Sequence, residues 1–212
     1  MRRSATITSV GFGLLLIGIG SAISAGLAKS GYLERVITSR NTGASSMQTE
    51  KMYWEGDRIR MERYSVAGLS VQIKNGNTLY MYSPAEKKAI KITASGKESR
   101  TVQDMLQMIA GSTKGGKKVG AGTVVGIKCD VYMIPVPGSK MSAKVYVSTD
   151  SRLPLPLKMQ MSTGSGSQTI ETRKLKLNYN VPDSMFSLPK GTKIEEKKLP
   201  QAPKVQPPAG RK

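Results

Sequence analysis

Between Asp57 and Ile92 the chain alternates apolar and polar residues with a period of two, through three consecutive turn-bounded runs. Few folds accept such a stretch. "DRIRMERY" sets Ile59 and Met61 against Arg58, Arg60 and Glu62. "LSVQIK" repeats the pattern with Leu69, Val71 and Ile73, and "TLYMYS" does so with Leu79 and Met81. "NGN" at Asn75 to Asn77 joins the last two, and such a pair tolerates the positive φ of a tight hairpin. Pro84 ends the run and "KKAIKI" opens the next. The pattern predicts an antiparallel meander. Ile59, Met61, Val71, Ile73, Leu79 and Met81 are expected on one face, toward a core or cavity, because a one-residue slip would turn arginines inward.

Strand-like runs resume after Gly120 with "TVVGIKCDVYMI", "MSAKVYVST", "LPLKMQMS" and "QTIETRKLKLNY", separated by "VPGSK", "DSRLP" and "TGSGS". Two stretches read as helical instead. Tyr32, Leu33, Val36 and Ile37 lie at helical spacing within Lys29 to Ser39. In "SRTVQDMLQMIAG", Val102, Met105, Leu106 and Ile109 share one helical face, with Thr101 and Asp104 suited to its start and Gly111 to its stop. The expectation is an α+β domain, mainly antiparallel β, with eight or nine strands and a helix over 101–111.

The two ends read differently. Residues 1–28 have the order of a secretory signal: Arg2 and Arg3, an apolar run from Val10 to Ile19, then small residues up to Ala28. The run is short for a membrane span of roughly 20 residues, so cleavage and a periplasmic or otherwise exported location are expected. From Lys190 to Lys212 the prolines and charges predict a disordered basic tail, leaving 29–189 as the folded domain.

Charge narrows the partners. The chain has 33 Lys and Arg against 14 Asp and Glu, and losing Arg2 and Arg3 lowers the net charge only from +19 to +17. Such a surface attracts anionic partners, a membrane surface among them. Export and an aromatic content of 5% argue against nucleic acid. No histidine is present, which removes the usual nucleophile-activating pairs and histidine metal sites, so no enzyme activity, cofactor or metal is expected. The single cysteine, Cys129, alternates with Ile127, Val131 and Met133 and reads as core rather than nucleophile. Twelve methionines stand out; Met61, Met81, Met133, Met159 and Met161 fall in the apolar phase of their strands. Methionine is flexible and polarizable, suited either to filling core gaps or to meeting varied apolar ligands.

Three stretches in order resemble the LolA-like superfamily of exported proteins. "KNGNTLYMYSPAEKKAIKI" is similar to its strand-turn-strand. "AKVYVSTDSRLPLPLKMQ" is similar to the place where one strand ends and a proline opens its partner. "NVPDSMFSLPKGTKIEE" is similar to its closing signature, with Phe186, Pro189 and Gly191 at the motif positions. The arginine-proline element of the lipoprotein carrier has no residue-for-residue match in "YWEGDRIRMER", so the resemblance is to a divergent member. It implies a curved sheet forming an incomplete barrel, helices covering the open side, and an apolar cavity holding acyl chains. The cavity would be lined by Ile59, Met61, Val71, Ile73, Leu79, Met81, Val102, Met105, Leu106, Ile109, Met133, Met159 and Met161. The expected function is a monomeric carrier or chaperone for lipid or an acylated protein. The alternative is a non-catalytic envelope protein with a dry core, using its cationic surface to hold an anionic or regulatory partner.

Overall fold

A computed structural model describes residues 28–93, 116–136, 141–150, 152–153 and 155–197. The opening meander is six strands long: β1 (Ser30–Asn41), β2 (Ala44–Glu55), β3 (Arg58–Ser65), β4 (Gly68–Asn75), β5 (Thr78–Ser83) and β6 (Lys88–Thr93). A second set follows: β7 (Lys117–Val124), β8 (Ile127–Pro135), β9 (Ser142–Ser148), β10 (Pro156–Thr163) and β11 (Gly166–Leu177). One turn of 3-10 helix, Asp183–Phe186, leads to β12 (Lys193–Lys197). All twelve strands form one open sheet in the order β12-β6-β5-β4-β3-β2-β1-β11-β10-β9-β8-β7. Every ladder is antiparallel except that of β12 on β6.

Antiparallel order sorts the connections between two rims. One rim carries the β1–β2, β3–β4, β5–β6 and β10–β11 turns and the starts of β7 and β12; the other carries β2–β3, β4–β5, β7–β8 and the β9–β10 loop. At the β4–β5 turn Gly76 supplies the left-handed residue, φ +51°. At the β7–β8 turn both central residues are left-handed, Val125 at φ +45° and Gly126 at +79°. A β-branched residue strains there. Val125→Asn would recreate the Asn-Gly pair that this turn favours, and should raise stability by about 1 kcal/mol in chemical denaturation.

Several expectations need correcting. The fold is not α+β with helices over an open barrel: 71% of the described structure is strand, in one open curved sheet with no covering helix among the described residues. The helix expected over 101–111 lies outside them. The helix expected at 29–39 is β1, and its helical spacing misled because the strand is paired on both sides and half-buried on both faces. The basic tail does not begin at Lys190, because β12 docks on β6, with Lys193 N–H donating to the Lys87 carbonyl at 2.9 Å.

The expected single apolar face is also divided. The register carries a row Leu33–Met52–Met61–Gln72–Met81–Ile90 across β1 to β6. Beside it on the same face runs Gly31–Trp54–Ile59–Lys74–Leu79–Ile92. The opposite face carries Tyr32–Tyr53–Arg60–Ile73–Tyr80–Lys91. Val71 and Ile73 therefore lie opposite Ile59, Met61, Leu79 and Met81. These are called the methionine face and the tyrosine face below.

Two buried clusters hold the sheet. Leu33, Met52, Trp54 and Ile59 pack with Val124, Cys129, Leu157 and the β9–β10 loop residues Leu153 and Leu155. Burial pushes the Cys129 thiol up, which agrees with a packed rather than a nucleophilic cysteine. On the tyrosine face, Val71, Ile73, Tyr82 and Ala89 are roofed by the segment after β11, through Val181 and Phe186. Arginines fasten this strap. Arg60 Nη1 donates to the Met185 carbonyl at 3.1 Å, Arg58 Nη1 donates to Asp183 at 2.6 Å, and the Arg58 guanidinium lies 4.6 Å from the Phe186 ring centroid.

Candidate functional site: the methionine face

The strap covers Val71, Ile73 and Tyr82 on the tyrosine face of β3 to β6, while on the methionine face of the same strands several apolar side chains are partly open. Met61, Leu79, Ile90 and Ile92 are half-buried and Met81 is 43% exposed. The row continues past β1. Ile37 pairs with Ile170, Ile170 with Met159 and Met159 with Val145, and one pair further along Gln168 faces Met161 and Met161 faces Ala143. Met159 and Met161 are also half-buried. Among the described residues the face thus carries apolar side chains from alternate positions of successive strands. A shallow hollow of about 180 Å³ lies at its β5–β6 end, lined by Met81, Ser83, Glu86, Lys88, Ala89, Ile90 and Glu195.

The residues named from sequence separate into three groups. Ile59, Met61, Leu79, Met81, Met159 and Met161 lie on the methionine face, with Ile59 fully in its core. Val71 and Ile73 are buried beneath the strap, and Met133 sits on the tyrosine side in register with Lys144. Val102, Met105, Leu106 and Ile109 lie outside the described residues. Sequence reading missed Ile37, Ile90, Ile92 and Ile170. The alternation of Ile90 and Ile92 in "KKAIKI" was the available signal for two of them.

One ionic row crosses this face. Arg35, Glu50 and Arg63 are directly opposed on β1, β2 and β3. Glu50 is buried, and its two oxygens accept from Arg35 Nε at 2.6 Å and Arg63 Nη2 at 2.8 Å. Burial by itself would push this carboxyl up, but the two guanidinium groups outweigh it and hold Glu50 below the usual range. A carboxylate occupied in this way is a cross-strand clamp, not a free proton acceptor. On the tyrosine side, Tyr64 is pushed up to about 12 by burial and by its hydrogen bond to Glu62 at 2.8 Å.

No family model matches the chain, and no curated protein does. Among solved structures, an uncharacterized conserved protein from Thermus thermophilus superposes with a TM-score of 0.54 at 9% identity, over 80% of this chain and 91% of that one. The Pseudomonas aeruginosa MucA/MucB complex gives 0.46 at 11% identity, over 75% of this chain and 56% of that one. The Mycobacterium tuberculosis lipoprotein LppX gives 0.38 at 13% identity, over 71% and 89%. The first shares the fold. The other two superpose too loosely to carry weight.

Proposed function

We propose that this chain binds lipid, laying acyl chains on the methionine face, as a non-catalytic carrier or chaperone of the cell envelope. One observation carries the reading. The chain roofs the tyrosine face of its meander with its own strap, yet leaves Met61, Leu79, Met81 and Ile90 partly open on the other. An acyl chain gains about 0.8 kcal/mol for each methylene it buries, and flexible thioethers accommodate chains of different length and kink. The signal-like N-terminus and the resemblance of three ordered motifs to LolA-like proteins agree with this reading.

The test is titration with a fluorescent fatty acid in detergent-free, low-salt buffer. Met81 is exposed enough to change without disturbing a core. Met81→Asp should weaken probe binding at least tenfold with no change in the thermal melt, because a charge on that surface repels an acyl chain. If the wild-type protein binds no acyl probe, or Met81→Asp binds as wild type, the face is not a lipid surface. The alternative of a protein-binding envelope factor then takes its place.

A further inference from the structure

Exposed cations occur at both rims of the sheet. At the rim of the β2–β3, β4–β5 and β9–β10 connections, Arg58 pairs with Glu55 and Asp183, Arg152 with Asp150 at 2.7 Å and Lys74 with Asp57 at 3.8 Å, while Lys29, Lys128 and Lys197 are exposed and spread over the ends of three separate strands. At the opposite rim the register sets Lys193 directly beside Lys88 and gathers a group. Lys87 and Lys88 sit at the β5–β6 turn, and the parallel docking of β12 brings Lys190 and Lys193 beside them through the Lys193 N–H to Lys87 carbonyl bond. Arg40 lies at the β1–β2 turn of the same rim. All five side chains are exposed, and none is in an ion pair with another described residue. Glu86 is the acidic member of this group, and Lys118, at the start of β7, pairs with Asp130 at 2.8 Å.

The same rim exposes apolar side chains. Val66, at the tip of the β3–β4 hairpin, is 100% exposed, and Met47, beyond the end of the β2–β3 ladder, is 67% exposed. Tyr64 joins them, with Lys51 Nζ 5.0 Å from its ring centroid. An apolar residue at a hairpin tip has nothing of its own fold to bury it.

We infer that this rim docks the protein on an anionic lipid bilayer, with Lys87, Lys88, Lys190, Lys193 and Arg40 at the headgroups and Val66 and Met47 inserted between them. Unpaired lysines and an arginine gathered at one end match a negative surface potential. Projecting apolar tips match the boundary between headgroups and acyl chains. An acidic protein would satisfy the lysines alone; projecting side chains separated along a rim, rather than gathered in a flat patch, favour the bilayer. This inference does not depend on acyl binding at the methionine face, and the two fail separately: vesicle binding without acyl-probe binding overturns only the lipid-carrying face, and acyl-probe binding without vesicle binding overturns only the rim.

The experiment is co-sedimentation of the full chain with vesicles of phosphatidylcholine alone or mixed with phosphatidylglycerol. The wild type should bind the mixed vesicles at least tenfold better, and added salt should weaken that binding. The combined change Lys87→Gln, Lys88→Gln, Lys190→Gln and Lys193→Gln should reduce it at least tenfold. Val66→Asp should reduce it severalfold at a salt concentration where attraction is already screened. The matching change on the other rim, Lys29→Gln, Lys128→Gln and Lys197→Gln, should alter it less than twofold. Thermal melts of all variants should coincide, because every altered side chain is exposed. Equal binding to both vesicle types overturns the inference, as does a greater loss from the Lys29, Lys128 and Lys197 set. Binding to soluble polyglutamate as strong as to vesicles and indifferent to Val66→Asp overturns it in favour of an acidic protein partner.

Discussion

Glu50→Gln should lower the stability of this domain by about 3 kcal/mol at neutral pH, a drop of roughly 6–12 °C in melting temperature. The substitution keeps the size of the side chain and removes only its charge. Glu50 is 1% exposed, while the Arg35 and Arg63 side chains that flank it are 27% and 45% exposed. With glutamine between them, two guanidinium groups face each other across one strand without a counter-charge. Their partial access to water limits the cost to the lower end of what breaking a buried ion pair costs.

The pH dependence of the same pair of proteins gives a second readout. The folded carboxyl of Glu50 titrates below the value of about 4.3 that it has in an unfolded chain. Its contribution is therefore complete above that value and is lost as pH falls through the folded one. Denaturant midpoints should differ most between wild type and Glu50→Gln at neutral pH, and should converge as the buffer is acidified below pH ~4. A gap that stays constant down to acid pH would mean that the carboxylate is not what the clamp depends on. Added salt should change the gap little, because the carboxylate is buried.

The meander that holds this clamp was legible in the sequence; the orientation of its strands was not. Alternation and the Asn75–Asn77 turn marked β3, β4 and β5. The error came from carrying one apolar phase through the turn. With Gly76 and Asn77 as the loop, Asn75 pairs with Thr78, so Leu79 falls opposite Lys74 and Ile73 opposite Tyr80. Both faces of this sheet bury apolar residues, so alternation predicts a strand without saying which face is the core. Tyr80 and Tyr82 read as the outer phase because the strap that covers them arrives about a hundred residues later, and a local pattern carries no trace of it.

Other misses have equally local causes. In β1 the spacing of Tyr32, Leu33, Val36 and Ile37 fits a helix, but the β-branched run Val36-Ile37-Thr38 was the better guide. In β12, "KIEEK" is exposed at every residue and shows no apolar period. Its attachment comes from backbone pairing with β6 and an ion pair between Lys91 and Glu196 at 2.7 Å, with the charges of an edge strand that discourages further pairing. The candidate surface was half legible: Met61 and Met81 stand out by composition. Ile37 and Ile170 become part of it only because β1 pairs with β11 across the middle of the sheet.

Gly31 and Trp54 should show a reversal of sign, the clearest test of how the core of the methionine face is packed. They are direct partners on β1 and β2, and the indole lies over the glycine while its Nε1 donates to the Ala28 carbonyl at 3.0 Å. A Cβ on Gly31 would stand 2.1 Å from the nearest ring carbon. Gly31→Ala should therefore destabilise the wild type by about 1–3 kcal/mol, the usual cost of overpacking, as the indole is forced aside. Trp54→Ala should cost about 3–5 kcal/mol, or roughly 6–20 °C, by emptying the site. In the Trp54→Ala background the clash is gone. Gly31 is not held at positive φ, so alanine fits its backbone there. The same Gly31→Ala change should then stabilise the protein by about 0.5–1 kcal/mol, through the smaller entropy alanine loses on entering a strand. Circular dichroism melts of the four proteins close the cycle. A Gly31→Ala effect of the same sign and size in both backgrounds would mean that the two residues do not touch, and that the packing of Trp54 on β1 is wrong.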